Sequence, residues 1–111
     1  MRANIALQAG ETEEAVRWAD TAQRQTRDQG GVEHANALRL LARGRLAQGR
    51  FDEAQALLGE ALQADKTLGL PDKIREDLLL LAESAAGRGQ TAEASRYRER
   101  AARVAAAIQV E

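Results

Sequence analysis

The sequence contains no cysteine. Disulfides, thiolate nucleophiles and Cys-based zinc sites are therefore excluded, and redox chemistry says nothing about compartment. Proline occurs once, at Pro71, and aromatic residues make up only 3 % of the 111-residue chain. A β-sheet would draw on β-branched and aromatic side chains, so a core built from Leu and Ala points to closely packed helices. No apolar run approaches the roughly 18 residues that a membrane span needs. Neither sign of charge prevails: 16 Lys and Arg stand against 17 Asp and Glu, a net charge of −1. Such a balance gives no bulk attraction to nucleic acid or to an anionic membrane, so neither is expected as a direct partner. The opening MRANIALQAG is too polar and too short for a secretory signal. A cytoplasmic location is the expectation, with the periplasm as the alternative if a leader has been removed.

The residue combinations that carry catalysis are also missing. His34 is the single histidine, and its nearest carboxylate, Glu33, is only a sequence neighbour, so it reads as an exposed residue at a helix start. Ser84 and Ser95 lack a Gly-x-Ser-x-Gly setting, and no Gly-x4-Gly-Lys-Ser/Thr phosphate loop occurs. Glu11, Glu13 and Glu14 read as partners of a helix dipole rather than metal ligands. No cofactor and no enzymatic activity are expected.

What the chain does contain is repetition. QAGETEEAVRWADTA, QGRFDEAQALLGEAL and GRGQTAEASRYRERA share a Gly, a short polar step and an Ala that follows an acidic residue. Aligned on Ala15, Ala54 and Ala94, the stretches lie about 40 residues apart, and Gly10, Gly49 and Gly89 each precede the Ala by five residues. A period of this length with a Gly turn inside it is a sign of stacked supersecondary units.

Each unit reads as two helices. In 32–48, Leu38, Leu41, Ala42 and Leu46 fall on one face, and Gly49 can take the left-handed conformation that ends the helix. In 52–65, Ala54, Leu57, Leu58, Ala61 and Leu62 form one stripe, with Asp52 and Glu53 in the favourable first turn. Gly69 suits a helix end and Pro71 a helix start. Ile74, Leu78, Leu81, Ala82 and Ala85 give 72–86 the same pattern. In 91–108 the inward set is Ala94, Ala101, Val104, Ala105 and Ile108. Trp18, near Ala15 and Ala22, is expected to cover the edge of the core. The basic run ASRYRERAAR, interrupted by Glu99, reads as a solvated face with local ion pairs rather than an RNA-binding surface.

The middle unit resembles a tetratricopeptide repeat, whose pattern is Trp-x2-Leu-Gly-x2-Tyr in the first helix and Ala-x3-Phe in the second. Leu38-x2-Leu41-Ala42-x2-Arg45 matches the first half, Ala54-x3-Leu58 followed by Ala61 the second, and QGRFDEA the turn, with Phe51 in the aromatic place. The third unit follows with Leu78-x2-Leu81-Ala82 and Ala94, although Arg98 replaces the aromatic residue. The first keeps Ala15 and Ala22, with Ala19 in the Phe place. Arg45 stands where Tyr is usual, so that contact is either lost or replaced by its aliphatic stem. Repeats of about 40 residues are similar to those in the sensor regions of MalT-type bacterial transcription activators. HEAT-type repeats share the period but not the Gly turn or the acidic-Ala step.

The resemblance implies an all-α, right-handed α-α superhelix, a solenoid of about five to six helices forming one domain over residues 1–111. Its repeats would be 1–30 (incomplete), 31–70 and 71–111. The short first unit suggests a piece of a larger protein. By the same resemblance the first helices line a concave groove for a protein or peptide partner. Asn4 and Gln8 would line it in the first unit, Asn36, Arg39 and Arg43 in the second, and Glu76, Leu79 and Glu83 in the third. Arg39 and Arg43, one turn apart, would present two guanidinium forks to a peptide carboxylate. The resemblance implies the sensor or interaction region of a bacterial transcription regulator; the rival expectations are an assembly scaffold, exported or not, without regulatory output and a homo-oligomer formed through apolar repeat ends, with AARVAAAIQV as a candidate surface.

Overall fold

Helix beginnings fall every twenty residues through most of the chain, at 31, 51, 71 and 91. The computed structural model describes residues 9–110 and contains five helices in that span. They are α1 (Ala9–Thr26), α2 (Gly31–Ala47), α3 (Phe51–Leu68), α4 (Pro71–Gly87) and α5 (Thr91–Val110). Each packs against the next, and α2 also reaches α4, so the elements stack in sequence order as helical hairpins. No strand occurs among the described residues.

The twenty-residue step is set by Gly49, Gly69 and Gly89, each with φ between 68° and 80°. At each of these turns the N–H of the following residue bonds back to a carbonyl in the last helical turn. The pairs are Arg50 to Arg45 at 2.8 Å, Leu70 to Asp65 at 3.1 Å and Gln90 to Ala85 at 2.8 Å. This is the Schellman closure, and the left-handed residue it requires is why glycine marks each helix end. Phe51, the aromatic residue of the first of these turns, lies against the last turn of α4. A Cβ on Gly87 would come within 2.5 Å of its ring, so the small residue there lets the next repeat approach.

The central core joins Ala42 of α2, Ala54, Leu58 and Leu62 of α3, Leu78 and Leu81 of α4, and Ala101 of α5. A second cluster links Val16 and Ala19 of α1 to Leu41 of α2, with Leu57 packed against both clusters. Ala54 and Ala61 have no solvent exposure, and Ala54 lies in the core that joins four helices. Replacing either by Leu is expected to cost about 1–3 kcal/mol by overpacking. Thermal unfolding measures this, and an unchanged melting temperature would contradict the close approach of these helices.

The first unit departs from the expected register. Gly10 lies inside α1 rather than in a turn, and Ala15 is exposed. The buried positions of α1 are Thr12, Val16, Ala19 and Gln23. They repeat the spacing of Ala54, Leu58, Ala61 and Asp65 in α3, so Thr12, not Ala15, is the counterpart of Ala54, and Ala19 matches Ala61 rather than the Phe place. A shift of three residues turns a helix by about 300°, nearly a full turn, so the two alignments differ little in their apolar periodicity. Trp18 does not cover the core: it is 68 % exposed.

Candidate functional site

The seam between α2 and α4 carries most of the polar residues that the groove reading picks out, and they divide into a buried layer and a surface layer. Asn36 and Arg43 are exposed on α2, and Leu79 (41 % exposed) and Glu83 are exposed on α4. Glu76 is half-buried. It pairs with Arg43 across the seam and has Lys73 at 3.9 Å on its own helix. Asn4 and Gln8 lie outside the described residues.

Arg39 is not an open fork. It is only 4 % exposed and is fixed by three acceptors on three helices. Its Nε donates to Asp77 Oδ1 of α4 at 2.8 Å, and a terminal nitrogen donates to Asp65 Oδ2 of α3 at 2.5 Å. The other terminal nitrogen donates to Asn36 Oδ1 at 2.7 Å. Arg39 thus ties α2 to α3 and α4 from beneath the surface, whereas Arg43, one turn on, reaches α4 in the open. The two arginines do not present a matched pair.

Asp65 and Asp77 are buried to 1 % and 0 % exposure and share this single cation. Burial pushes the Asp77 carboxyl up to about 7; the neighbouring Asp65 carboxyl adds to the rise, and Arg39 opposes it. Neither acid stood out in the sequence as a functional residue. A signal was present, because Asp65 continues the stripe of Ala54, Leu58 and Ala61, and Asp77 lies four residues before Leu81 on the α4 core face. An ionisable residue inside an apolar stripe is the pattern that marks a buried polar contact.

Other polar residues resolve into local contacts. His34 is half-buried rather than exposed, with Nδ1 3.0 Å from the Thr26 hydroxyl. Arg45, in the usual Tyr place, lies 3.2 Å from Glu53 and donates to Gln48, so an ionic contact across the turn replaces the aromatic one. In the basic run of α5, Arg96 lies 3.6 Å from Glu93, and Arg100 stacks 5.9 Å above the Tyr97 ring. Arg98 and Arg103 are exposed. Among the described residues no cluster of three or more potential metal ligands occurs, and no helix is long and apolar enough to cross a membrane.

Stacked hairpins with Gly-turn closures and paired Ala contacts agree with the comparison of this chain with known families. The family model described as tetratricopeptide repeat matches residues 1–67, more than half of the chain. The chain belongs to the tetratricopeptide repeat family. No curated protein and no solved structure gives a significant match. Membership supports a protein–protein interaction module. In this tetratricopeptide protein the surface available on the first helices of the two hairpins is the α2/α4 face, carrying Asn36, Arg43, Leu79 and Glu83 above a fixed Arg39.

Proposed function

We propose that this tetratricopeptide domain binds a protein or peptide partner on its α2/α4 face, as the sensor region of a bacterial transcription regulator. The observation that carries the binding reading is the exposure of Leu79 on α4, one turn before exposed Glu83 and on the same seam as exposed Arg43, a seam that buried ion pairs hold in place. An apolar anchor point with a polar rim on a rigid scaffold is the composition of a recognition surface. The repeat length of about 40, as in MalT-type activators, supports the regulatory parentage, with the hairpins continuing a right-handed superhelix in a cytoplasmic protein. A DNA-binding domain encoded in the same reading frame is the expected finding, and its absence from the full gene product would sink the regulator reading.

The binding face is tested by a photo-crosslinking residue at Leu79 or, as a control, at exposed Glu60 on α3. A partner captured from Leu79, not from Glu60, and released by Glu83→Lys is the expected result. Equal capture from both positions would overturn the assignment of the face.

Self-association is the second reading, and exposed Trp18 on α1 favours it. If ends of two copies pair there, Trp18 fluorescence shifts to the red on dilution and light scattering shows a concentration-dependent mass. A monomer at every concentration would eliminate this reading.

A further inference from the structure

Asp65 and Asp77 each have one carboxylate oxygen on Arg39 and one left over. The remaining atoms, Asp65 Oδ1 and Asp77 Oδ2, are buried and have no hydrogen-bond partner in the protein. Two ionised carboxylates on one guanidinium also leave the cluster with an excess negative charge inside a Leu and Ala core. Both deficits have the same remedy. A single proton placed between Asp65 Oδ1 and Asp77 Oδ2 turns two orphaned acceptors into one O–H···O bond and makes the cluster neutral.

We propose that Asp65 and Asp77 together form a proton-binding site, and that the proton taken up from solvent there locks the α2–α3–α4 seam. The site is independent of the partner-binding reading. No group other than the two carboxylates changes its bonding: one O–H bond forms on uptake and breaks on release. The upward shift of the Asp77 carboxyl to about 7, caused first by burial and then by Asp65, agrees with such sharing. Because the folded chain holds the proton up to about neutral pH while the unfolded carboxylates release it near 4, the stabilisation is complete in acid. It is lost as pH rises through about 7.

Arg39 faces both acids from α2, with Asn36 as the neutral ligand of its remaining terminal nitrogen. On the solvent side of the same seam, Arg43 and Glu76 pair, with Lys73 beside Glu76. From α5, packed on the other side of α4, half-buried Tyr97 reaches the core with Arg100 over its ring. His34, the single histidine of the chain, contacts Thr26 between α1 and α2.

Carboxyl carbon-13 NMR of the intact chain labelled at aspartate tests the proposal directly. The expected result is an Asp77 transition near pH 7, with the Asp65 carboxyl signal moving in the same transition because it shares the proton, and exposed Asp72 as the control that does not follow it. If both buried acids titrate below 5, the proposal is overturned. Urea unfolding supplies the second readout. The wild-type folding constant should fall by roughly 100-fold from pH 5 to pH 8.

In Asp77→Asn the amide oxygen can still accept from Arg39 and the amide nitrogen can donate to Asp65, replacing the shared proton permanently. That variant should fold, vary less than about 3-fold over the same pH range and exceed the wild type in stability at pH 8. The wild-type pH slope surviving in Asp77→Asn, or failure of this variant to fold, would overturn the proposal. His34→Gln should retain the slope, and loss of the slope there would assign the proton to the histidine instead.

Discussion

Arg39→Met is expected to destabilise the domain by about 3–5 kcal/mol, the largest effect of any single substitution on the α2/α4 face. The variant removes the one cation that two fully buried carboxylates share, and it leaves three acceptors without donors. Breaking a buried pair from one side costs this much because the abandoned charge cannot return to water without opening the helix seam. The loss should be larger at pH 8 than at pH 5, since in acid Asp77 holds a proton and the residual charge is smaller. Urea denaturation at the two pH values measures both parts.

Arg43→Met, one turn along α2, is expected to change stability by no more than about 1 kcal/mol. Its pair with Glu76 is solvated, with the Arg43 side chain 51 % exposed. A triple replacement, Arg39→Met with Asp65→Leu and Asp77→Leu, should recover most of the loss, because a packed apolar cluster needs no charge compensation. A large deficit in the triple variant would mean that the cluster contributes more than its own neutralisation.

The contrast between these two arginines shows where sequence reading stopped. Both lie on the same helix at one-turn spacing, and nothing about Arg39 itself separates it from Arg43. What separates them is Asp65 and Asp77, which come from 26 and 38 residues away. Asp65 also sits in the last turn of α3, where it reads as an ordinary polar helix end. The architecture was more legible because its determinants are local. Gly49 and Gly69 stop helices where their conformational freedom predicts, and Pro71 begins one. The stripe of Ala54, Leu58, Ala61 and Leu62 is buried as its period requires.

The first unit was misregistered because its marker residues are degenerate. Ala15, Ala19 and Ala22 offer alanine at spacings compatible with two alignments, whereas the correct one places Thr12 and Val16 where the family has Ala and Phe. Trp18 followed that error, because a helix turned by about 60° carries its edge residue out of the core and into solvent.

The corrected register yields a graded prediction at one repeat position, occupied by Val16 in α1, Leu58 in α3 and Arg98 in α5. Leu58→Ala should cost about 3–4 kcal/mol, since Leu58 has no solvent exposure and packs in the cluster that joins α2, α3, α4 and α5. Val16→Ala removes less volume from the smaller cluster with Ala19 and Leu41, and about 1–2 kcal/mol is expected. Arg98→Ala should fall within about 0.5 kcal/mol of the wild type, because its side chain is exposed and the α5 helix is held by Ala94, Ala101 and Val104 instead. The order of the three urea midpoints tests the alignment as well as the packing. If Ala19→Gly, which also lowers helix propensity by about 1 kcal/mol, proves harmless while Ala15→Gly strongly destabilises α1, then the earlier register with Ala15 inward is the correct one. With Ala19 fully buried and Ala15 in solvent, the opposite ranking is expected, Ala15→Gly costing only the propensity difference.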